Sequence, residues 1–292
     1  MALERKAGAG KGERMNASRG MAGSLVLLCL GLAPCFAQTP QTEWAKLNDE
    51  AMSLYQQGLY ARTVEVATKA LRVAEETFGA EHLNVATSLN NLGVLYKSRG
   101  MYVQAELFYK RSIEIKEKVL GPDDPDVAKG LSNLAALYYS DGKYDRAEPL
   151  CLRALEIAEK ALGPDHPKVA DGLIKLAELY RTQNRPAEAE PLYLRSVAIR
   201  EKALGPDHPD VAAGLNNLAA LYFSEKEYAK AEPLCLRSLA ISESVFGPDH
   251  SEVATSLRNL AAIFRRTGRK AKAASLEERA AAIRTKIPGG KR

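Results

Sequence analysis

Along most of the chain the apolar residues keep helical spacing. Leu215, Leu218, Ala219 and Tyr222 fall at i, i+3, i+4 and i+7, a single stripe on an α-helix. The stripe returns with a strict period of 42 residues. Its centre reads Asn91-Leu92-Gly93, Asn133-Leu134-Ala135, Lys175-Leu176-Ala177, Asn217-Leu218-Ala219 and Asn259-Leu260-Ala261, and each is followed by Tyr96, Tyr138, Tyr180, Tyr222 or Phe264. A second helical segment then carries Ala105, Ala147, Ala189, Ala231 or Ala273. Linkers of Gly-Pro-Asp-His-Pro type begin at Gly121, Gly163, Gly205 and Gly247, with a degenerate copy at Gly79. Residues 44–78 fit the same frame through Leu47, Ala51, Leu54, Ala67 and Ala70.

Each unit therefore reads as two helices joined by a turn such as 224–228. Gly205 suits a helix C-cap and Pro206 prevents continuation. Pro209 opens the next helix at its first position, with Asp210 near the positive end of the helix dipole. Pro149, Pro191 and Pro233 are placed close to the start of the second helix, where a lost N–H costs least. No segment has the alternation of a strand. One hairpin cannot bury its own apolar face, so the units must stack. The expected fold is all-α, a right-handed superhelical solenoid of about six helix pairs over residues 42–287, with a basic tail at 288–292.

The N-terminus follows a different pattern. Residues 1–21 are polar, Gly-rich and basic, and an apolar run occupies 25–32. Ala33-Pro34-Cys35-Phe36-Ala37 then leads into polar residues. This order matches a signal peptide over 1–37, cleaved after Ala37. The apolar run is short for a membrane helix, which needs roughly 20 residues. The expected location is the periplasm or the exterior, with no membrane span after cleavage; an uncleaved, membrane-anchored N-terminus is the alternative. Met15 and Met21 are alternative starts.

Charge and reactive residues narrow the function by exclusion. Lys and Arg number 41 against 36 Asp and Glu, a net of +5. Arg5, Lys6, Lys11, Arg14 and Arg19 against Glu4 and Glu13 account for much of it, which leaves the repeats too balanced for a nucleic-acid binder. His82, His166, His208 and His250 occupy one slot in successive linkers, roughly 20 Å apart by helix-packing distances, too far to share a metal. Cys151 and Cys235 stand two repeats apart in the slot held by Tyr109 and Tyr193, as core thiols without a disulfide. No phosphate loop, nucleophile elbow or zinc motif occurs. No catalytic residue, cofactor, metal or small-molecule substrate is expected.

The segments Leu-Asn-Asn-Leu-Ala-x-Leu-Tyr, Ala-Glu-Pro-Leu and Leu-Gly-Pro-Asp-His-Pro closely resemble the 42-residue tetratricopeptide repeat of kinesin light chains and their bacterial relatives. The likeness covers about residues 42–287. It implies a protein-interaction scaffold, while a signal-like segment in place of a heptad coiled coil means that a motor-cargo role is not implied.

Counting 100° per residue, the first-helix positions opposite the core stripe face the inner groove of such a superhelix. They include Asn91, Asn133, Asn217 and Asn259, with Lys175 breaking the series. An amide both donates and accepts, as an extended peptide requires; tying one helix to its neighbour is the competing role. In the kinesin light chain family this ladder contacts peptide, and the resemblance implies the same here. Arg181, Arg258, Arg265 and Arg266 complete the expected peptide-binding set. Co-chaperone repeats clamp a terminal carboxylate with an Asn where this chain has Val94, Ala136, Glu178, Ala220 and Ala262, so such binding is not expected. Lys69, Arg111, Arg153, Arg195, Arg237 and Arg279 form a second ladder, expected to pair locally, as Arg153 with Glu156. The alternative to a peptide scaffold is a structural subunit of an envelope or secretion-related assembly that uses the convex face.

Export is directly testable. N-terminal sequencing of material secreted by the source cell is expected to begin at Gln38 or within a few residues. Full-length protein retained in the cytoplasm contradicts the reading.

Overall fold

The computed structural model describes residues 40–286. The expected signal segment at 1–37 and basic tail at 288–292 lie outside the described residues. Within them the chain forms six helix pairs. These are α1 (Pro40–Gln56) with α2 (Tyr60–Phe78), α3 (Leu83–Ser98) with α4 (Tyr102–Leu120), and α5 (Pro125–Ser140) with α6 (Tyr144–Leu162). They continue as α7 (Pro167–Thr182) with α8 (Pro186–Leu204), α9 (Pro209–Ser224) with α10 (Tyr228–Phe246), and α11 (Ser251–Arg266) with α12 (Lys270–Lys286). No strand occurs among the described residues, and none of their helices is long and apolar enough to cross a membrane. Each helix packs on its pair partner and on the next pair, an all-α repeat solenoid.

The linkers set the helix boundaries. Gly121, Gly163 and Gly205 end α4, α6 and α8 with φ of 93°, 87° and 93°, the left-handed region that a side chain disfavours. Pro125, Pro167 and Pro209 open the following helices at the first position, as expected. The residue before each is the N-cap. The imidazole Nδ1 of His166 and His208 accepts from the backbone N–H two residues on, at 3.1 Å, and His82 and His250 do the same. Asp124 fills this slot with its carboxylate at 2.7 Å. The recurring histidine is thus a cap, one orphan helix donor satisfied per repeat. The prolines of the second helices lie deeper than expected. Because α6 begins at Tyr144, Pro149 is its sixth residue and sits inside the helix, as do Pro191 and Pro233 in α8 and α10. All three rings face outward and are exposed, where no neighbouring helix is disturbed.

Leu92, Leu134, Leu176, Leu218 and Leu260 are almost fully buried, and a continuous core runs from Ala105 to Ala273. Polar ties cross four of the five boundaries at equivalent points; at the first, Val64 stands where the others have Glu. The hydroxyls of Tyr138, Tyr180 and Tyr222 donate to Glu106, Glu148 and Glu190 of the preceding repeat at 2.8, 3.1 and 2.6 Å. At the last boundary Phe264 has no hydroxyl, and Arg269 takes the equivalent Glu232 while stacking on the Phe264 ring at 4.1 Å. The second ladder of cations also works between repeats. Arg153 pairs with Glu117 of the preceding repeat at 2.7 Å, not with Glu156, and also donates to the Pro122 carbonyl. Arg195 repeats this with Glu159 and Pro164, and Arg237 with Glu201 and Pro206. Exposed pairs contribute about 0–1 kcal/mol each, so the buried stripe carries the stack and these contacts fix its register.

Since each pair touches only its neighbours, stability should scale with repeat number. In-frame deletion of residues 206–247 is expected to leave a helical array of lower melting temperature, read by circular dichroism. Complete loss of structure would mean that the units are not interchangeable.

Candidate functional site

The asparagines of the first helices are engaged with one another. The Asn91 amide donates to Asn48 Oδ1 at 3.1 Å, Asn133 to Asn90 at 2.8 Å and Asn259 to Asn216 at 3.3 Å. Each bond joins a first helix to that of the preceding repeat and spans 43 residues, one more than the repeat. Asn48, Asn90 and Asn216 are therefore part of the arrangement and were missed by counting at the period alone. The adjacent pairs Asn90-Asn91 and Asn216-Asn217 were the available signal.

The staple is interrupted in the middle of the array. Lys175 stands where Asn would donate, and Ser132 is the residue that would face it. At the following boundary Asn217 has Ile174 in that position. Neither Lys175 nor Asn217 makes a side-chain hydrogen bond or ion pair among the described residues. Of the expected set, Asn133 and Lys175 come together in one cavity. Arg258 and Arg265 line a separate recess of about 380 Å³ with Arg284, where Arg265 pairs with Glu277. Arg181 lies beside the Tyr193 hydroxyl, whose pKa burial raises to about 12. Asn91, Asn217, Asn259 and Arg266 line neither space.

The central cavity measures about 350 Å³. Its walls are α5, through Ala128, Ser132 and Asn133, and α7, through Lys168, Asp171, Gly172 and Lys175; Cys151, Ala154, Leu155 and Ala158 of α6 form the floor. A recess of about 110 Å³ adjoins it through Ser132, Cys151 and Lys175. Two departures from the repeat account for this space. First, Cys151 occupies the slot that Tyr109 and Tyr193 fill completely in the neighbouring repeats. The fit there is close: a methyl added at Gly93 would meet the Tyr109 ring at 2.7 Å. Second, Lys175 removes the staple that closes the boundary above. Cys235 supplies the control. It too replaces Tyr, but Asn259 bonds Asn216 above it, Ser238 contacts Ser256, and the thiol is buried.

The expectation of two core thiols therefore holds for Cys235, while Cys151 is only partly buried. Burial pushes both thiols up to about 11, so they are protonated at neutral pH and poor nucleophiles. Lys97 is held below the usual lysine range by burial and, next, by the nearby Lys175. Lys129 is engaged with Asp126 at 2.6 Å and Asp171 with Arg200 at 2.7 Å. No cluster of metal-ligating side chains occurs among the described residues.

If the missing staple opens the central boundary, restoring it should stabilise the array. Ser132→Asn with Lys175→Asn adds a bond worth about 1 kcal/mol, and roughly 2–4 °C in melting temperature is expected for a chain of this size. An unchanged melt would mean that the Asn pairs elsewhere contribute nothing.

The tetratricopeptide repeat profile matches residues 42–118, 126–202, 185–226 and 210–286. Among solved structures, BtubC (BKLC) from P. vanneervenii superposes with a TM-score of 0.66 at 25% identity, covering 83% of this chain and 92% of that one. A Podospora anserina putative kinesin light chain with nearly identical tetratricopeptide-like repeats gives 0.63 at 26% identity, over 72% and 99%. Aspartyl phosphate phosphatase F from Bacillus subtilis, at 13% identity, 87% and 73% coverage and a TM-score of 0.60, shares the fold alone. Among curated proteins no relative matches. With its 42-residue period, six stacked helix pairs and kinesin light chain-like structural neighbours, the chain belongs to the tetratricopeptide repeat family.

Proposed function

We propose that this protein is an interaction scaffold, exported after cleavage at Ala37, which holds a peptide or protein segment along the row of first helices. The observation that carries the reading is Asn217, an amide of the ladder left without a partner while Asn91, Asn133 and Asn259 are occupied by neighbouring repeats. A free amide offers a donor and an acceptor together, the pair that a peptide unit in extended conformation needs. Arg181 lies on the preceding helix, and Arg258, Arg265 and Arg266 lie on the following one, where they favour an acidic end of the bound segment.

A second reading uses the outer face. Leu152, Leu194 and Leu236 recur at the repeat period on α6, α8 and α10 and are about half exposed. Such a row suits a subunit of a larger envelope assembly, in which the solenoid is held by its back.

The two readings separate by substitution. With a peptide selected from a displayed library as probe, Asn217→Ala is expected to weaken capture at least tenfold with an unchanged melting temperature. That factor corresponds to about 1.4 kcal/mol, within the range for an unpaired buried partner. Asn133→Ala should lower the melting temperature, because its amide ties α5 to α3. Capture that survives Asn217→Ala but is lost on Leu194→Ser moves the site to the outer face.

A further inference from the structure

We propose that the cavity between α5 and α7 binds a small organic anion: an apolar body of one or two rings, or a short alkyl chain, carrying one carboxylate, sulfonate or phosphate ester. This goes beyond the scaffold reading, because the ligand is a free small molecule and not a main-chain segment.

The floor and walls provide the apolar half. Ala154, Leu155 and Ala158 of α6 and Ala128 of α5 present only carbon to the interior. At about 350 Å³ the space lies at the lower end of ligand-sized pockets, roughly 300–1,000 Å³. The mouth provides the charged half. Lys168 and Lys175 line it and make no hydrogen bond or ion pair through their side chains among the described residues. The remaining charged groups there are already engaged, Lys129 by Asp126 and Asp171 by Arg200. Lys97 of α3 lies outside the cavity but close enough to Lys175 to feel its charge, and Glu178, one turn beyond Lys175, lines the adjoining recess.

The donor set selects the ligand class. An ammonium donates and cannot accept, so Lys168 and Lys175 match an anion, to which the Ser132 hydroxyl on the same wall can also donate. The Asn133 amide on the same wall, which could have served a peptide, is occupied by Asn90. An anion placed here would meet Lys168 and Lys175 in a partly enclosed site, where charge pairs are stronger than in open water. The cavity is also local to this repeat. Tyr109 and Tyr193 fill the equivalent space on either side, and the Asn216–Asn259 bond closes it above Cys235.

The test uses the full chain and the dye 8-anilinonaphthalene-1-sulfonate, an apolar ring system with one sulfonate. Fluorescence titration is expected to show one site per chain, displaced at least tenfold more readily by octanoate than by octanol. Cys151→Tyr should abolish the site without loss of helicity, because a tyrosine already sits beside Ala177 in the same slot as Tyr193. Lys175→Asn is exposed, cannot collapse the fold, and should weaken dye binding at least tenfold. Dye binding that persists in Cys151→Tyr, or octanol competing as well as octanoate, overturns the proposal; so does the absence of a stoichiometric site. Asn217→Ala should leave dye binding unchanged. Loss of peptide capture in that variant with dye binding intact, or the reverse failure, separates this site from the scaffold reading.

Discussion

Each helix pair in this chain has an apolar face that only the next pair can cover. The stripe of Leu134, Ala135 and Tyr138 belongs to a core shared with the neighbouring repeats, and among the described residues each pair packs on the pairs next to it. At about 25 cal/mol per Å² of apolar area removed from water, these faces hold the stack together, and the smaller polar contacts determine how it stacks. Tyr138 on Glu106, Arg153 on Glu117 and the Pro122 carbonyl, and Asn133 on Asn90 all cross the same boundary at different heights. Three fixed points leave little freedom for one pair to rotate on the next. The first helices are therefore presented as a row with residues of equal register facing equal directions.

That regularity gives departures their meaning. In an array whose boundaries are built alike, a residue that breaks the rule is free of the structural duty its equivalents perform. Lys175 is such a residue: four of its equivalents are asparagines, and at the boundaries where the residue opposite is also asparagine they bond across. Cys151 is another, a small side chain where a phenol is tolerated on either side. The small side chain alone is compatible with a closed boundary, as Cys235 demonstrates, and the staple is also missing between Asn217 and Ile174, where Tyr193 fills its slot. Only their coincidence leaves a cavity, with Lys168 and Lys175 at its mouth.

Much of the fold was legible in the sequence because the signals are local. The 42-residue period, the i, i+3, i+4, i+7 stripe and the Gly-Pro linkers specify where helices begin and end, and Pro125, Pro167 and Pro209 are found at the first helical position. What the sequence did not disclose was which neighbour a side chain chooses. Arg153 has Glu156 one turn along its own helix, yet it reaches back to Glu117, because the linker carbonyl of Pro122 offers a second acceptor in the same direction. The Asn ladder has the same difficulty. Its bonds run from one position to the one before it in the preceding repeat, a relation that stepping by 42 never compares. The cavity was illegible for a further reason: it depends on volume left over once Tyr109 and Tyr193 are placed, and volume has no sequence motif.

The unstapled boundary also has a mechanical consequence. Where the amide pair is missing, α5 and α7 are tied instead by the Tyr139 and Thr182 hydroxyls at 2.8 Å, about two turns beyond Lys175, and a single tie at one end allows more sliding than two. The Tyr180–Glu148 hydrogen bond at 3.1 Å joins α7 to α6 at the same end, and Arg185 of the turn that follows α7 pairs with the same carboxylate at 2.7 Å. The stretch around Lys175 has no equivalent tie, so freedom at this boundary is concentrated at the cavity mouth. A ligand that touches both walls supplies the missing bridge, and it stabilises the bound arrangement by RT ln(1 + [L]/Kd). For a ligand at a hundred times its Kd this is about 2.7 kcal/mol, more than one amide staple contributes. Occupancy of the cavity would thus set the rigidity of the central repeats, and with it the spacing at which Asn133, Lys175 and Asn217 are offered to any segment lying across them.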